Sequence, residues 1–191
     1  FRVEFECEFL GSVNTLISPA KLKNLVYENP INRNAGLDVH QEPIKNHQYL
    51  ITVDVARGLG NGYSAFIVVD ITSFPYNIVA KYKNNEIKPM LFPSIIHDVA
   101  KGYNDAFLLI EVNDIGDQVA SIIHYDLEYD NLLMASMRGR AGQVVGTGFS
   151  GKKTQLGVRT TSAVKKLGCS NLKTLLEDDK IVVKDYEIIS E

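Results

Sequence analysis

The first nine residues alternate strictly, with Phe1, Val3, Phe5, Cys7 and Phe9 set against Arg2, Glu4, Glu6 and Glu8. That is the period-two pattern of a half-buried strand. Ser18-Pro19 supplies an N-cap with proline at the first helical position and predicts a short helix running to about Tyr27. The polar stretch from Asn29 to Asn46 reads as a loop or linker. Strands are predicted at Tyr49–Ala56, Ser64–Asp70 and Tyr76–Tyr82, the first two separated by the turn signal Gly60-Asn61-Gly62. Met90–Tyr103 suits a helix. Ala106–Val112 is almost continuously apolar, as expected of a central strand covered on both faces. Ile115, Val119, Ile122 and Ile123 recur at helical spacing within Asp114–Asp126. Leu132–Met137 reads as a further strand, and Gly139–Gly157, with six glycines, as an irregular loop or hairpin. Val164, Leu167, Leu172, Leu175 and Leu176 mark another helical stripe, and Ile181–Val183 a short strand or extended tail. The order predicts an α/β fold whose mixed central sheet is an antiparallel three-stranded meander followed by parallel strands, flanked by helices.

Composition narrows this picture. The 191 residues are 45% hydrophobic and 23% charged, which excludes wholesale disorder, a collagen-like repeat and a coiled coil. No apolar run approaches the roughly 20 residues of a membrane-spanning helix, so no membrane partner is expected. The opening residues do not resemble a signal peptide. The chain starts at Phe1 rather than Met, and is read as a piece of a longer polypeptide. Two cysteines, Cys7 and Cys169, are too few for a disulfide framework and read as small buried hydrophobes in a reducing compartment. The net charge of −3 conceals an asymmetry. Asn131–Leu176 holds Arg138, Arg140, Lys152, Lys153, Arg159, Lys165, Lys166 and Lys173 without one acid, whereas the remainder has 12 basic and 23 acidic residues. Such a window favours a polyanion, nucleic acid in particular, over a merely solvated loop.

Two carboxylates stand where stability alone would not put them. Asp54 and Glu111 each lie within two residues of the carboxyl end of an apolar strand, where open α/β sheets place their ligand sites. If the strands are neighbours the acids face each other, and their repulsion calls for a divalent cation. With the basic window, this points to metal-assisted phosphodiester chemistry. The plainer reading has Asp54 capping a turn and Glu111 paired with a lysine. Asp70 reads as a turn residue. Gly146 to Lys153 nearly fits a phosphate-binding loop, but Lys153 stands where Ser or Thr should ligate Mg²⁺. His40 and His47 fall in the polar linker, His97 and His124 on helices, and their spacing forms no metal-ligand pattern.

The segment Ile51-Thr52-Val53-Asp54-Val55-Ala56-Arg57-Gly58 with Tyr63-Ser64-Ala65 resembles the first nuclease motif of the large terminase subunits of tailed phages. Leu109-Ile110-Glu111-Val112-Asn113-Asp114-Ile115-Gly116 resembles their second, and Thr160–Cys169 continuing into Leu176-Glu177 a downstream helix. Glu4–Phe9 with Gly11 and Leu16–Ser18 is similar to the junction after the family's ATPase domain. The likeness is to the T-even type. It implies an RNase H-like fold and a two-metal endonuclease, with Asp54 and Glu111 as catalytic metal ligands for Mg²⁺ or Mn²⁺. The implied substrate is concatemeric double-stranded DNA, cut without strong sequence specificity, and Arg138, Arg140, Lys152, Lys153, Arg159, Lys165 and Lys166 are the expected DNA contacts. It further implies the ATPase domain of the same polypeptide, the portal protein and the small terminase subunit as partners. The expected location is the host cytoplasm, at the prohead portal. On this reading residues 1–48 are a strand, helix and linker after an absent ATPase domain, and 49–191 a nuclease domain lacking its carboxyl end.

Two positions depart from the family. Its third catalytic aspartate belongs to a late motif that Asp178, Asp179, Asp185, Glu187 and Glu191 do not match, and Gly62 stands where many relatives carry aspartate. A non-catalytic docking or DNA-binding module with a degenerate site is therefore a competing expectation. An actin-like ATPase lobe is another, although that fold needs two such lobes.

Overall fold

The computed structural model describes residues 16–136, 143–147 and 154–190. The opening strand expected at Phe1–Phe9, and Cys7 with it, lies outside them. The elements are α1 (Pro19–Asn24), β1 (Asn32–Asn34), β2 (Leu37–Val39), β3 (Tyr49–Asp54), β4 (Ser64–Asp70), β5 (Tyr76–Asn84), α2 (Phe92–Gly102) and β6 (Phe107–Ile110). They continue as α3 (Gly116–Ser121), a π-helical turn (Ile122–Asp126), β7 (Leu133–Ser136), β8 (Val144–Thr147), β9 (Thr154–Leu156), α4 (Ser162–Glu177), β10 (Ile181–Val182) and α5 (Tyr186–Ser190).

The main sheet has the order β1-β2-β5-β4-β3-β6, and β10 pairs parallel with the start of β5. β3, β4 and β5 form the antiparallel meander and β6 runs parallel to β3, so the predicted mixed sheet is present. A single bridge between Leu108 and Leu132 passes the sheet on toward β7, which forms a second, three-stranded sheet with β8 and β9.

Alternation along the strands decides which face is apolar. Val53, Phe66 and Tyr82 lie opposite one another across β3, β4 and β5 and are buried with Phe92, Ile96 and Ala100 of α2 and Val119 and Ala120 of α3. Phe66 stacks on Tyr82 at 5.1 Å between ring centroids, and Phe92 closes the group. On the other face a smaller cluster gathers Ile17, Leu22, Val69, Ile78, Leu176, Val183 and Ile189. A bulge makes this second cluster possible. Val68 pairs with Ala80 but Val69 with Ile78, so one extra residue of β5, Val79, is accommodated and Ile78 turns to the face that Val69 already takes by alternation. The chain termini of the described region thus pack together under the far end of β4 and β5. Ser18 caps α1 by accepting from the Lys21 N–H, and its own N–H donates to Glu177 at 2.9 Å.

Several expectations need correction. The stretch Asn29–Asn46 is not merely linker. β1 and β2 form a hairpin turning at Ala35 and Gly36, both at positive φ, and β2 adds to the edge of β5. The Gly60-Asn61-Gly62 signal does not make a tight hairpin, because the connection from Asp54 to Ser64 spans the nine residues 55–63. The glycine-rich stretch holds β8 and β9, which flank β7 rather than pair with each other. A strand, β9, begins at Thr154 where a phosphate-binding loop would have to open a helix. α4 exists as predicted, but only Leu176 of it is buried. Leu167 and Leu172 are 51% and 42% exposed, and Cys169 is half-buried rather than core. Two histidines expected in a solvated linker are partnered. His40 meets Asp185, and His47 meets Asp70, which also accepts from the Thr72 N–H and hydroxyl as a turn residue should.

Candidate active site

β3 and β6 are neighbours, paired in parallel up to Val53 and Ile110. The next residues are Asp54 and Glu111, and the Glu111 N–H donates to the Val53 carbonyl at 2.9 Å. The two carboxylates therefore project from the same face at adjacent strand ends, with strand axes about 4.8 Å apart. Asp54 is exposed and Glu111 half-buried. Among the described residues neither carboxylate has a hydrogen-bond or ion-pair partner. Neither the turn cap nor the lysine pair of the plainer reading is found there.

Their backbones are fixed by the loops that follow. Asp114, three residues after Glu111, accepts two bonds from Arg57, three residues after Asp54: Nε to Oδ2 at 2.7 Å and Nη2 to Oδ1 at 2.6 Å. This pair is exposed, so it adds little to stability, but its fork geometry ties the two acid-bearing loops together. The bond from Arg57 holds the Asp114 carboxyl below its ordinary value. Asn113 exchanges two bonds with Thr160, its Nδ2 donating to the Thr160 carbonyl at 3.0 Å and the Thr160 N–H donating to its Oδ1 at 3.1 Å. Gly116 lies so close beneath Glu111 that a Cβ there would sit 1.9 Å from the Glu111 carbonyl oxygen. Gly157, at φ +70°, leaves only 2.2 Å between such a Cβ and the Ile110 carbonyl oxygen, and so lets the 157–160 segment run beside β6. The Asn and Gly of the second motif are thus the parts that hold Glu111 in place.

The acids open into a cleft of about 570 Å³, whose lining includes Thr52, Tyr63, Ile67, Lys81, Lys83 and Glu187. Two rows of the sheet build it. Asp54 lies opposite Ala65, which lies opposite Lys83; Thr52 lies opposite Ile67, which lies opposite Lys81. The acids on one side of the cleft and the lysines on the other therefore share a face. Lys81 is only 6% exposed, in company with Asp185 at 4%. Its ammonium donates to Asp185 at 3.0 Å and to Glu187 at 2.9 Å, with Asp38 at 3.5 Å. Burial opposes the Lys81 charge, but the bonds to Glu187 and Asp185 outweigh it and raise its pKa above the ordinary lysine value. Burial likewise pushes Asp185 up, and bonds from Lys81, the Ile188 N–H and His40 bring it below the usual carboxylate range. The bond from Lys81 also lowers Glu187.

A stability consequence follows from these directions. The Asp185 and Glu187 contributions are complete above the unfolded carboxylate values, near pH 4, and fade as pH falls through their depressed native values. The Lys81 contribution is complete below about pH 10 and fades only as pH rises through its elevated value. Asp185→Asn is expected to cost about 2–3 kcal/mol at neutral pH, less than a fully sealed pair because Glu187 still holds Lys81. Urea unfolding of both proteins at neutral pH and at about pH 3 checks this. The gap between them should shrink in acid, and an equal gap at both would contradict the assignment.

Of the residues proposed from sequence to contact DNA, Arg159, Lys165 and Lys166 are described. Val158 bridges to Glu111, so Arg159 emerges exposed one residue beyond the site. Lys165 and Lys166 are exposed on the first turns of α4, which Thr161 caps by accepting from the Val164 N–H. Arg138, Arg140, Lys152 and Lys153 lie outside the described residues. Gly62 has space, for a Cβ there would meet only the Ala56 methyl at 3.5 Å. Among the described residues no group of three or more His, Cys, Asp or Glu is arranged to hold a metal ion. Lys81 and Lys83 are absent from the residues that sequence reasoning brings to the site, although a lysine within Ile78-Val79-Ala80-Lys81-Tyr82 is a signal of its own.

Residues 51–191 match the family described as Terminase RNaseH-like domain. The chain belongs to this family of terminase nuclease domains. Its fold agrees with solved terminase structures. The large terminase nuclease of thermophilic phage G20c with bound magnesium is 21% identical, with a TM-score of 0.67 over 93% of this chain and 78% of that one. The same nuclease with bound zinc is 20% identical, with a TM-score of 0.67 over 93% of this chain and 86% of that one. The nuclease domain of Thermus phage P74-26 is 20% identical, with a TM-score of 0.63 over 93% and 76%. The RNase H-like terminase fold accounts for the meander and the parallel β6. Among the described residues no helix is long and apolar enough to cross a membrane.

Proposed function

We propose that this terminase domain is a metal-dependent endonuclease that hydrolyses phosphodiester bonds of concatemeric double-stranded DNA during genome packaging, without strong sequence specificity. One observation carries the reading: among the described residues Asp54 and Glu111 stand unpartnered and side by side in a cleft, while Asp114, Asp185 and Glu187 nearby are all paired. The fit to a cation is good. The donors are carboxylate oxygens alone, which suits a hard ion such as Mg²⁺ or Mn²⁺ that keeps water and substrate phosphate in the rest of its shell. When bound, such an ion lowers the pKa of water and offsets charge on the phosphate. Asp54 and Glu111 would hold it. The Arg57–Asp114 tie and the Asn113–Thr160 exchange keep the two acids in register, and Arg159, Lys165 and Lys166 attract the DNA backbone.

The wider setting belongs to the same proposal. Residues 1–48 are the junction to the ATPase domain of the same polypeptide, 49–191 form the nuclease domain, and the portal protein and small terminase subunit meet the assembly in the host cytoplasm. Cutting of supercoiled plasmid that requires Mg²⁺ or Mn²⁺ is the test, and its absence in a chain carrying the ATPase domain and the full nuclease domain would overturn the reading. The basic rim gives a separate prediction. Replacing Arg159, Lys165 and Lys166 with alanine is expected to flatten the dependence of log K on log salt by about 0.9 for each phosphate that is no longer neutralised. An unchanged slope would remove these residues from the DNA interface.

A further inference from the structure

Lys81 and Lys83 point into the cleft from β5, on the face that carries Asp54, and a single carboxylate oxygen lies between them. Glu187 Oε2 is 2.9 Å from the Lys81 ammonium and 3.7 Å from that of Lys83. The Glu187 side chain is 55% exposed, so it reaches this position from the solvent side. The Lys83 ammonium also lies over the Tyr63 ring, 4.7 Å from its centroid, which holds the charge above the cleft rather than letting it extend into water. Two cations converging on one acceptor oxygen, facing a pair of acids that have no partner among the described residues, form an anion site already filled by an anion of the chain itself.

We propose that Lys83, backed by Lys81, seats a backbone phosphate of the DNA strand lying in the cleft, and that Glu187 occupies this phosphate site in the DNA-free protein. The inference rests on the nuclease reading and adds to it a strand-binding subsite with a built-in competitor. Asp185 keeps Lys81 in place when Glu187 leaves, since it bonds the same ammonium independently. DNA binding then displaces one exposed carboxylate and leaves the buried pair intact.

The test is the affinity of a short fluorescent duplex in Ca²⁺, followed by anisotropy, for the whole chain and its variants. Glu187→Gln is expected to tighten binding roughly fivefold, the size of one surface ion-pair competition. Lys83→Ala is expected to weaken binding by a similar factor and to lower the salt slope by about 0.9. In the double variant the gain from Glu187→Gln should vanish. Glu42 is exposed and does not line the cleft, so Glu42→Gln removes the same charge elsewhere and should change affinity less than about twofold. Melting by circular dichroism verifies folding, and Lys83→Gln serves if Lys83→Ala is unstable. The subsite is overturned if Glu187→Gln binds no tighter, if its gain survives loss of Lys83, if Glu42→Gln matches it, or if no variant binds duplex. Metal-dependent plasmid cutting separates this from the nuclease reading. Cutting with a flat binding pattern refutes only the subsite, and the predicted binding pattern in a protein that never cuts refutes only the nuclease.

Discussion

Asp54→Asn and Glu111→Gln are each expected to abolish metal-dependent DNA cutting while leaving the fold near normal. A bound divalent ion supplies several kcal/mol of charge stabilisation, so losing about 4 kcal/mol of it slows cutting about a thousandfold. Both substitutions keep the shape of the side chain. Neither carboxylate has a protein partner among the described residues, so nothing buried is left unsatisfied. Thermal unfolding of the metal-free variants should lie within about 0.5 kcal/mol of the parent. A small gain is the natural sign, because the acids repel each other when no cation lies between them. Plasmid assays with single-turnover rates check the first part and calorimetry the second. Unchanged cutting by both variants would dissolve the site, and a large loss of stability would make the acids structural.

Gly116→Ala is expected to be the most damaging small substitution in the motif. The added carbon would sit 1.9 Å from the Glu111 carbonyl oxygen and 3.0 Å from its carbonyl carbon, both backbone atoms. Relief requires α3 or the end of β6 to move, at a cost of about 3 kcal/mol. Movement of β6 also displaces Glu111 relative to Asp54, so metal affinity should fall along with stability. Gly168→Ala provides the contrast. It lies on the exposed part of α4 with no atom within 4 Å of the new carbon, and should stabilise the helix by about 0.5–1 kcal/mol. Urea unfolding of the two variants and Mn²⁺ titration of each check the pair. Equal effects at the two glycines would refute the packing account of the second motif.

The meander and β6 are legible in the sequence because their strands carry clean apolar patterns and turn signals. The acid pair is legible because carboxylates at the ends of such strands are conspicuous and parallel pairing brings strand ends together. The hairpin of β1 and β2 is not, since Asn32–Asn34 is entirely polar and exposed. That hairpin is held by the edge of β5, a partner about 40 residues away that no local pattern announces. Lys81 is hidden for a similar reason. In the sequence it is one polar residue in a strand, and only Asp185 and Glu187, brought in from more than 100 residues away, make it a buried charge. The apolar stripe of α4 misleads in the other direction. Its spacing matches a core-facing helix, but only the last turn reaches the core, through Leu176.

On the proposed reading Asp54 and Glu111 together hold a divalent cation. Mn²⁺ binding by electron paramagnetic resonance tests it without reference to activity, comparing the parent with Asp54→Asn, Glu111→Gln and Lys83→Ala. Bound Mn²⁺ should be present in the parent and in Lys83→Ala and absent from both acid variants. Mn²⁺ retained equally by Asp54→Asn and Glu111→Gln would contradict the account.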